Sequence, residues 1–276
     1  MNKGLKKGLI GFIIPVAVIV IAYKFNIWLG LAALIIYIAL LLYTSRAMIF
    51  IIIGSRNYSL GKTEPALNWF KRAHDTKKAS VRSSITYAYI LLKNGKPIEA
   101  EEILKELLKN NPNNQDTPPI KSIIALVLWK KGELDAAITL LEEVLSTYKT
   151  TSVYGSLGYL LNLKGDPEKA LQFNLEAYEY NSTDNIILDN LGQNYYLMSM
   201  YDNAKEIYES LVGKAPTFPE AYYNYGLVLE KLGEIETALD MFKKALDYKF
   251  SFVSTITQDE VKLKIQKTRK SASLMT

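Results

Sequence analysis

The pattern of apolar and polar positions changes character once along the chain. Up to residue 46 the apolar residues are nearly continuous. Sixteen uncharged residues lie between Lys7 and Lys24, and seventeen more run from Ile27 to Tyr43. As helices at ~1.5 Å per residue the two runs reach roughly 24–26 Å, a little short of a hydrocarbon core about 30 Å thick. Flanking lysines can snorkel and helix ends can extend to cover the difference. Pro15 would kink the first helix, which neighbouring groups tolerate inside a membrane. The pattern predicts an anchor over residues 1–46, with two transmembrane helices at about 8–24 and 27–46 joined as a tight hairpin. Lys3, Lys6 and Lys7 followed by Val20-Ile21-Ala22 also fit a cleaved signal peptide. The second run, arriving at once, would still hold the chain in the membrane.

From residue 47 the apolar positions become periodic. Gly158, Gly192 and Gly226 are 34 residues apart, as are Ala170, Ala204 and Ala238. A 34-residue period is the length of one helix–turn–helix unit of a solenoid. Extended backwards, the frame gives six units: 47–80, 81–114, 118–150, 151–184, 185–218 and 219–250. Position eight of the unit is always small: Gly54, Ala88, Ala125, Gly158, Gly192 and Gly226. Position twenty is alanine throughout: Ala66, Ala100, Ala137, Ala170, Ala204 and Ala238. Small residues there let the two helices approach closely. Position fifteen is glycine except at Ser199, as a turn between helices requires. Position twenty-four is large at Phe70, Leu104, Leu141, Tyr208 and Phe242, and is broken by Asn174. Pro112 and Pro216 stop the second helix of their units.

These positions resemble the tetratricopeptide repeat family. The clearest unit is "AYYNYGLVLEKLGEIETALDMFKKALDYKF", with Tyr222, Gly226, Leu229, Ala238, Phe242 and Ala245 at the signature sites. The signature tryptophan is absent and four units lack the helix-ending proline. The implied fold is all-α: a transmembrane hairpin, a right-handed solenoid of about six units over 47–250, and a cap over 251–276. Each unit exposes an apolar face that its neighbours must cover. Thr257 and Glu260 fit a capping box, predicting a helix over about 258–270. Val261 and Ile265 would face the last unit. Lys262, Lys264, Lys267, Arg269 and Lys270 would face water, anionic lipid headgroups or an acidic partner. The hairpin and the first repeat helix are expected to be one continuous helix from about Ile27 to Ser59.

Charge refines this picture. The chain has a formal net charge of +5, 33 basic against 28 acidic residues. Residues 1–46 contain five basic residues and no acidic ones, so the whole excess belongs to the anchor. A basic pI of this origin does not point to nucleic acid. The positive-inside bias places both ends of the hairpin, and the repeats, at the cytoplasmic face of a cell membrane. Repeats facing outward are the alternative topology.

Chemistry is sparse. There is no cysteine, and His74 is the only histidine. It falls at the end of a repeat helix, where it reads as exposed. No set of residues reads as a metal, cofactor or nucleophile site. Glu101-Glu102 and Glu142-Glu143 read as solvated faces paired with lysines. "GSRNYSLGKT" looks like a phosphate loop, but six residues separate its glycines where four are needed. In the repeat frame Gly61 is a turn residue, so the chain reads as a non-enzyme. The resemblance implies a groove lined by the first helices of the units, suited to a protein partner's peptide or helix. It assigns the groove to Tyr89, Trp129, Tyr159, Asn162, Asn190, Gln193, Tyr196, Tyr223 and Asn224. Asn190 and Asn224 share a unit position that serves either ligand or framework. Glu220, Asp189 and Ser152 stand where a carboxylate clamp would need cations, so a terminal carboxylate is not the expected ligand. The expected function is a membrane-anchored scaffold for protein partners. The alternative is a subunit of a secretion or envelope-assembly complex that uses the hairpin as a subunit contact.

Overall fold

The computed structural model describes residues 3–110 and 115–273, with side chains from Phe12 onward. Among the described residues there are fifteen helices and no strand. The side chains of Lys3, Lys6 and Lys7, Pro112 with residues 111–114, and the tail 274–276 lie outside this description. The chain divides into two compact units, Met1–Ser84 and Ile85–Thr276.

The first unit holds α1 (Lys3–Phe25), α2 (Ile27–Thr44), α3 (Arg46–Ser59) and α4 (Thr63–Asp75). Asn26 alone separates α1 from α2, and its Oδ1 accepts the Trp28 N–H at 2.8 Å to cap α2. The two helices pack together. Gly30 permits the approach: a Cβ there would lie 2.8 Å from Tyr23. Their outer faces stay apolar and open, with Trp28 75 % and Ile36 67 % exposed. The helix Ile27–Thr44 is long and apolar enough to cross a membrane, and the apolar stretch Phe12–Phe25 is shorter.

The expected continuous helix from Ile27 to Ser59 is not formed. Ser45 interrupts it with φ −91° and ψ 3°, so α2 ends at Thr44 and α3 starts at Arg46. Side chains compete for the backbone at this joint. Thr44 Oγ1 donates to the Leu40 and Leu41 carbonyls, and the Arg46 guanidinium donates to the Tyr43 carbonyl. Such local bonds offer the chain an alternative to a regular helix.

The second unit begins after the first turn of α5 (Val81–Lys93) and continues as α6 (Pro97–Asn110), α7 (Thr117–Lys130) and α8 (Leu134–Thr147). It goes on through α9 (Thr151–Lys164), α10 (Pro167–Tyr180), α11 (Asn185–Leu197) and α12 (Tyr201–Gly213), and ends with α13 (Pro219–Lys231), α14 (Ile235–Ala245) and α15 (Gln258–Ser273). Each 34-residue unit of the sequence is one helical hairpin. All six residues at the turn position have positive φ, from Ser199 at 60°, the one that is not glycine, to Gly132 at 88°. The first helices touch in series, α7 on α9, α9 on α11 and α11 on α13, which makes them one continuous face.

Positions eight and twenty-four meet inside each hairpin, and their sizes compensate. A Cβ on Gly192 would lie 2.7 Å from the Tyr208 ring, and one on Gly226 would lie 2.5 Å from the Phe242 ring. Gly54 faces Phe70 in the same way at 3.3 Å. Where position twenty-four is the narrower Leu104 or Leu141, position eight is Ala88 or Ala125, all fully buried. Gly226→Ala is therefore expected to destabilise by about 2 kcal/mol through overpacking. Adding Phe242→Leu should recover part of that loss, because the pair then matches Ala88 with Leu104. Thermal unfolding of the full chain in detergent measures both, and equal or worse stability of the double variant would refute the pairing.

The cap forms as the box requires. The Thr257 N–H donates to Glu260 Oε2 at 2.6 Å and the Glu260 N–H to Thr257 Oγ1 at 3.2 Å. Val261 and Ile265 are buried in the core of the last hairpin. Lys264 is a correction: it does not face solvent but pairs with Glu230. Glu230 also accepts from the buried Thr268 hydroxyl at 2.6 Å. His74 is half-buried in the last turn of α4, not exposed. Glu101 too is more than a solvated charge. Its side chain is only 12 % exposed and bridges Lys105 at 2.7 Å and Lys131 at 3.4 Å. Those ammonium groups, Lys105 first, hold its carboxyl below the usual range.

Candidate functional site

The face made by the first helices carries two different constructions. The inner one is a buried amide network that ties α9, α10 and α11 together. Asn174, the residue that breaks the large-residue pattern, lies at its centre, 1 % exposed. Its Nδ2 donates to Asn162 Oδ1 at 2.9 Å and to Asn194 Oδ1 at 3.0 Å. Asn162 Nδ2 in turn donates to the Asn190 carbonyl at 2.9 Å and to Gln193 Oε1 at 3.3 Å. Asn190 Nδ2 reaches back to the Gly155 carbonyl at 2.7 Å, and Asn194 Nδ2 to the Pro167 carbonyl at 2.8 Å. Among the described residues no buried side-chain nitrogen or oxygen lacks a partner. Gly158 exists for this network: a Cβ there would lie 2.2 Å from Asn174 Oδ1.

The outer construction is a cavity of about 400 Å³ beside the N-terminal halves of α9, α11 and α13. Tyr89, Trp129 and Tyr159 form its aromatic wall, and Asp189, Asn190 and Glu220 part of its polar wall. The Trp129 and Tyr159 rings meet edge to face, 5.3 Å apart. Burial pushes the Tyr159 phenol above its ordinary range. Burial also raises the Asp189 carboxyl to about 7, with the charge of Glu220 adding to the effect. Asp189 Oδ1 accepts from Asn224 Nδ2 and from the Tyr208 hydroxyl, both at 3.1 Å, which opposes the shift without cancelling it.

The nine residues assigned to the groove by the sequence thus fall into three groups, two of which share Asn190. Tyr89, Trp129, Tyr159 and Asn190 line the cavity. Asn162, Asn190 and Asn224 have their amides engaged within the protein, so the shared position of Asn190 and Asn224 is a framework position here. Each bonds the hairpin before it, 35 residues earlier. Gln193, Tyr196 and Tyr223 are half-buried and lie away from the cavity. Gln193 bonds Asn162, Tyr196 lies 5.8 Å from Tyr201, and Tyr223 packs 5.5 Å from Phe242.

One part of the site was not legible from the repeat pattern. After α14 the chain does not turn directly into α15. Residues 249–256 form a strap along the cavity, where Lys249, Ser251, Val253, Ser254 and Thr255 are lining residues. The Ser254 N–H donates to the Ser251 carbonyl at 2.9 Å, which closes a turn with Phe252 near its tip. The Phe252 N–H donates to the Lys93 carbonyl at the end of α5, at 3.0 Å. Its ring lies 3.7 Å from where a Cβ on Gly95 would stand and 4.8 Å from the Lys130 ammonium. The Thr255 N–H donates to Glu220 Oε1 at 3.0 Å, and the Thr255 side chain hydrogen-bonds Tyr159. Glu220 and Tyr159, residues suited to holding a ligand, already hold this segment.

Comparison with known proteins agrees with this architecture. Sequence models of the tetratricopeptide repeat match residues 81–114, 124–185, 188–217 and 219–252, which together are more than half of the chain. The chain is 25 % identical over 167 residues to the chicken (Gallus gallus) DnaJ homolog subfamily C member 3, covering 55 % of this chain and 33 % of that protein. It is 26 % identical over 164 residues to the TPR repeat-containing protein MJ1428 of Methanocaldococcus jannaschii, covering 58 % and 28 %. The match thus spans about a third or less of each relative. Among solved structures, a tetratricopeptide repeat protein from Parabacteroides merdae superposes with TM-score 0.66 at 16 % identity, covering 92 % of this chain and 98 % of its own. The APC/C hetero-tetramer Cut9-Hcn1 also gives 0.66, at 15 % identity over 92 % and 52 %. Carried by six hairpins in one frame and by these matches, the assignment is plain: the chain belongs to the tetratricopeptide repeat family.

Proposed function

We propose that this chain is a non-catalytic, membrane-anchored scaffold that receives a segment of a protein partner on the face of its first helices. Tetratricopeptide repeat proteins are protein-interaction scaffolds. One observation carries the assignment to this face: Tyr159 and Glu220 of the cavity wall, with the Lys93 carbonyl beside them, already hold a loop of this chain's own polypeptide by main-chain and side-chain bonds. Aromatic side chains supply contact area at low entropic cost. Asp189 and Glu220 favour backbone N–H donors, and Lys93 and Lys249 add two cations to the same lining.

The anchor is the hairpin α1–α2. Its open apolar faces and the length of Ile27–Thr44 support insertion into a bilayer, and the flanking basic residues support a cytoplasmic orientation of the repeats. The same faces also fit contact with another membrane subunit, as in a secretion or envelope-assembly complex. Exchanging α1–α2 for an unrelated two-helix anchor separates the two: a scaffold keeps its partner and an assembly subunit loses it.

The groove itself is tested by photo-crosslinking in intact membranes. A benzophenone amino acid at Tyr159 should give a discrete protein adduct, while one at Leu175, exposed on α10, should not. Adducts from neither site, or equally from both, would overturn the assignment. Protease accessibility in intact cells, with protection of residues 47–276, is the expected result for the orientation.

A further inference from the structure

We propose that the strap, residues 249–256, is a built-in occupant of the groove, and that the partner segment which displaces it has the same chemistry. That chemistry is a turn presenting a phenylalanine at its tip, followed by a main-chain N–H that reaches Glu220. The inference rests on the proposed function, since it names what the same groove takes.

Phe250 and Ile256 pack against the core of the last hairpin, and between them residues 251–255 bond to the groove. Phe252 is 38 % exposed, held by one main-chain bond to Lys93, by the flat surface at Gly95 and by the Lys130 ammonium. The Lys130 ammonium also lies 4.5 Å from the Trp129 ring, so one cation joins the strap's aromatic residue to the groove's own. Burial lowers the Lys130 pKa. Thr255 is exposed as well, and its contacts are the Glu220 carboxylate and the Tyr159 phenol. A handful of such bonds at exposed positions gives a contact that can be released.

Both ends of the strap are secured independently of the groove. Upstream, the Tyr248 ring stacks on Tyr222 at 5.0 Å and 8°, with their hydroxyls 3.0 Å apart. Downstream, the capping box at Thr257 starts α15, and Val261 and Ile265 fix that helix to the last hairpin. The segment between Phe250 and Ile256, which are themselves packed on that core, can leave the groove without unfolding either neighbour. A tethered occupant acts at an effective concentration in the millimolar range, so a free partner competes only if its own contacts are better.

The test uses the full chain in detergent and a labelled synthetic peptide of the strap sequence, KFSFVSTI, followed by fluorescence anisotropy. One variant has residues 250–255 replaced by a Gly/Ser sequence of equal length. It should bind the peptide at least tenfold more tightly than the wild type, and a peptide with the Phe252→Ala change should bind at least tenfold more weakly than the parent peptide. Equal binding to both proteins, or binding to neither while circular dichroism shows them folded, would overturn the proposal. If the replaced protein does not fold, the single variant Phe252→Ala serves, with the same two outcomes. The crosslink at Tyr159 separates the two ideas. A native adduct whose yield does not change on strap replacement sinks the strap proposal alone, whereas loss of any native adduct in both proteins sinks the groove.

Discussion

Replacing Asn174 by alanine is expected to destabilise the hairpins around it by about 3–5 kcal/mol. The reason is arithmetic within the amide network. Asn174 spends both hydrogens of Nδ2 on buried acceptors, Asn162 Oδ1 and Asn194 Oδ1. Each acceptor left without a donor costs about 1–3 kcal/mol, and the removed amide leaves space that a packed interior fills poorly. Leucine, the residue that suits this position in other units, should do little better, because it supplies bulk but no donor. The loss should be local, since the units of a solenoid are coupled mainly to their neighbours. Amide hydrogen exchange in α9–α11 should accelerate by roughly a hundredfold to a few thousandfold, at 1.4 kcal/mol per factor of ten, while α14 and α15 change far less. Uniform acceleration along the chain, or none, would contradict the network's role.

Asp189→Asn is expected to act in the opposite sense and to depend on pH. In the unfolded chain this carboxyl loses its proton near the ordinary 3.8, whereas in the folded protein burial holds the proton until about 7. Between these values the folded state binds more protons than the unfolded one, so stability falls as pH rises through the window. The stabilisation is complete below pH ~4 and gone above pH ~7. Asparagine keeps an oxygen for Asn224 Nδ2 and the Tyr208 hydroxyl but cannot ionise. The variant should match the wild type at pH 4 and exceed it by roughly 2–4 kcal/mol at pH 8, at about 1.4 kcal/mol per pKa unit. Denaturant unfolding at the two pH values measures this. A wild-type gain in stability from pH 4 to 8 that the variant lacks would show that the sign is wrong. The carboxylate at the cavity wall therefore detracts from stability at neutral pH. Carrying an ionisable group at such a cost is consistent with a role toward a ligand.

Much of the fold was legible in the chain because one period governs it. The alanines of position twenty and the glycines of position fifteen are set by contacts inside a single hairpin. Those contacts recur every 34 residues and can be counted without coordinates. The same is true of the Thr257–Glu260 capping box, which is local by construction. The groove was legible less well. Tyr89, Trp129 and Tyr159 follow from the rule that first helices face inward, and they line the cavity. Asn162 and Asn224 follow from the same rule and yet point into the protein. Direction within a helix face depends on what the neighbouring hairpin offers, such as Asn174 for the first and Asp189 for the second.

What the sequence determined by itself, then, is everything set by short spacings. This covers the hairpin unit, its turns, its close contacts, the apolar character of the first 46 residues and the cap. The tertiary structure decided what depends on residues far apart meeting. It broke the expected continuous helix at Ser45, where Thr44 and Arg46 take up backbone carbonyls. It turned the apparent flaw at Asn174 into the centre of a network drawn from three helices. It also brought Phe252 to Lys93 across some 160 residues of chain, placing the strap in the groove. No periodicity encodes that meeting. It depends on how five stacked hairpins bring their ends together, and each small rotation between neighbours contributes to where the strap arrives.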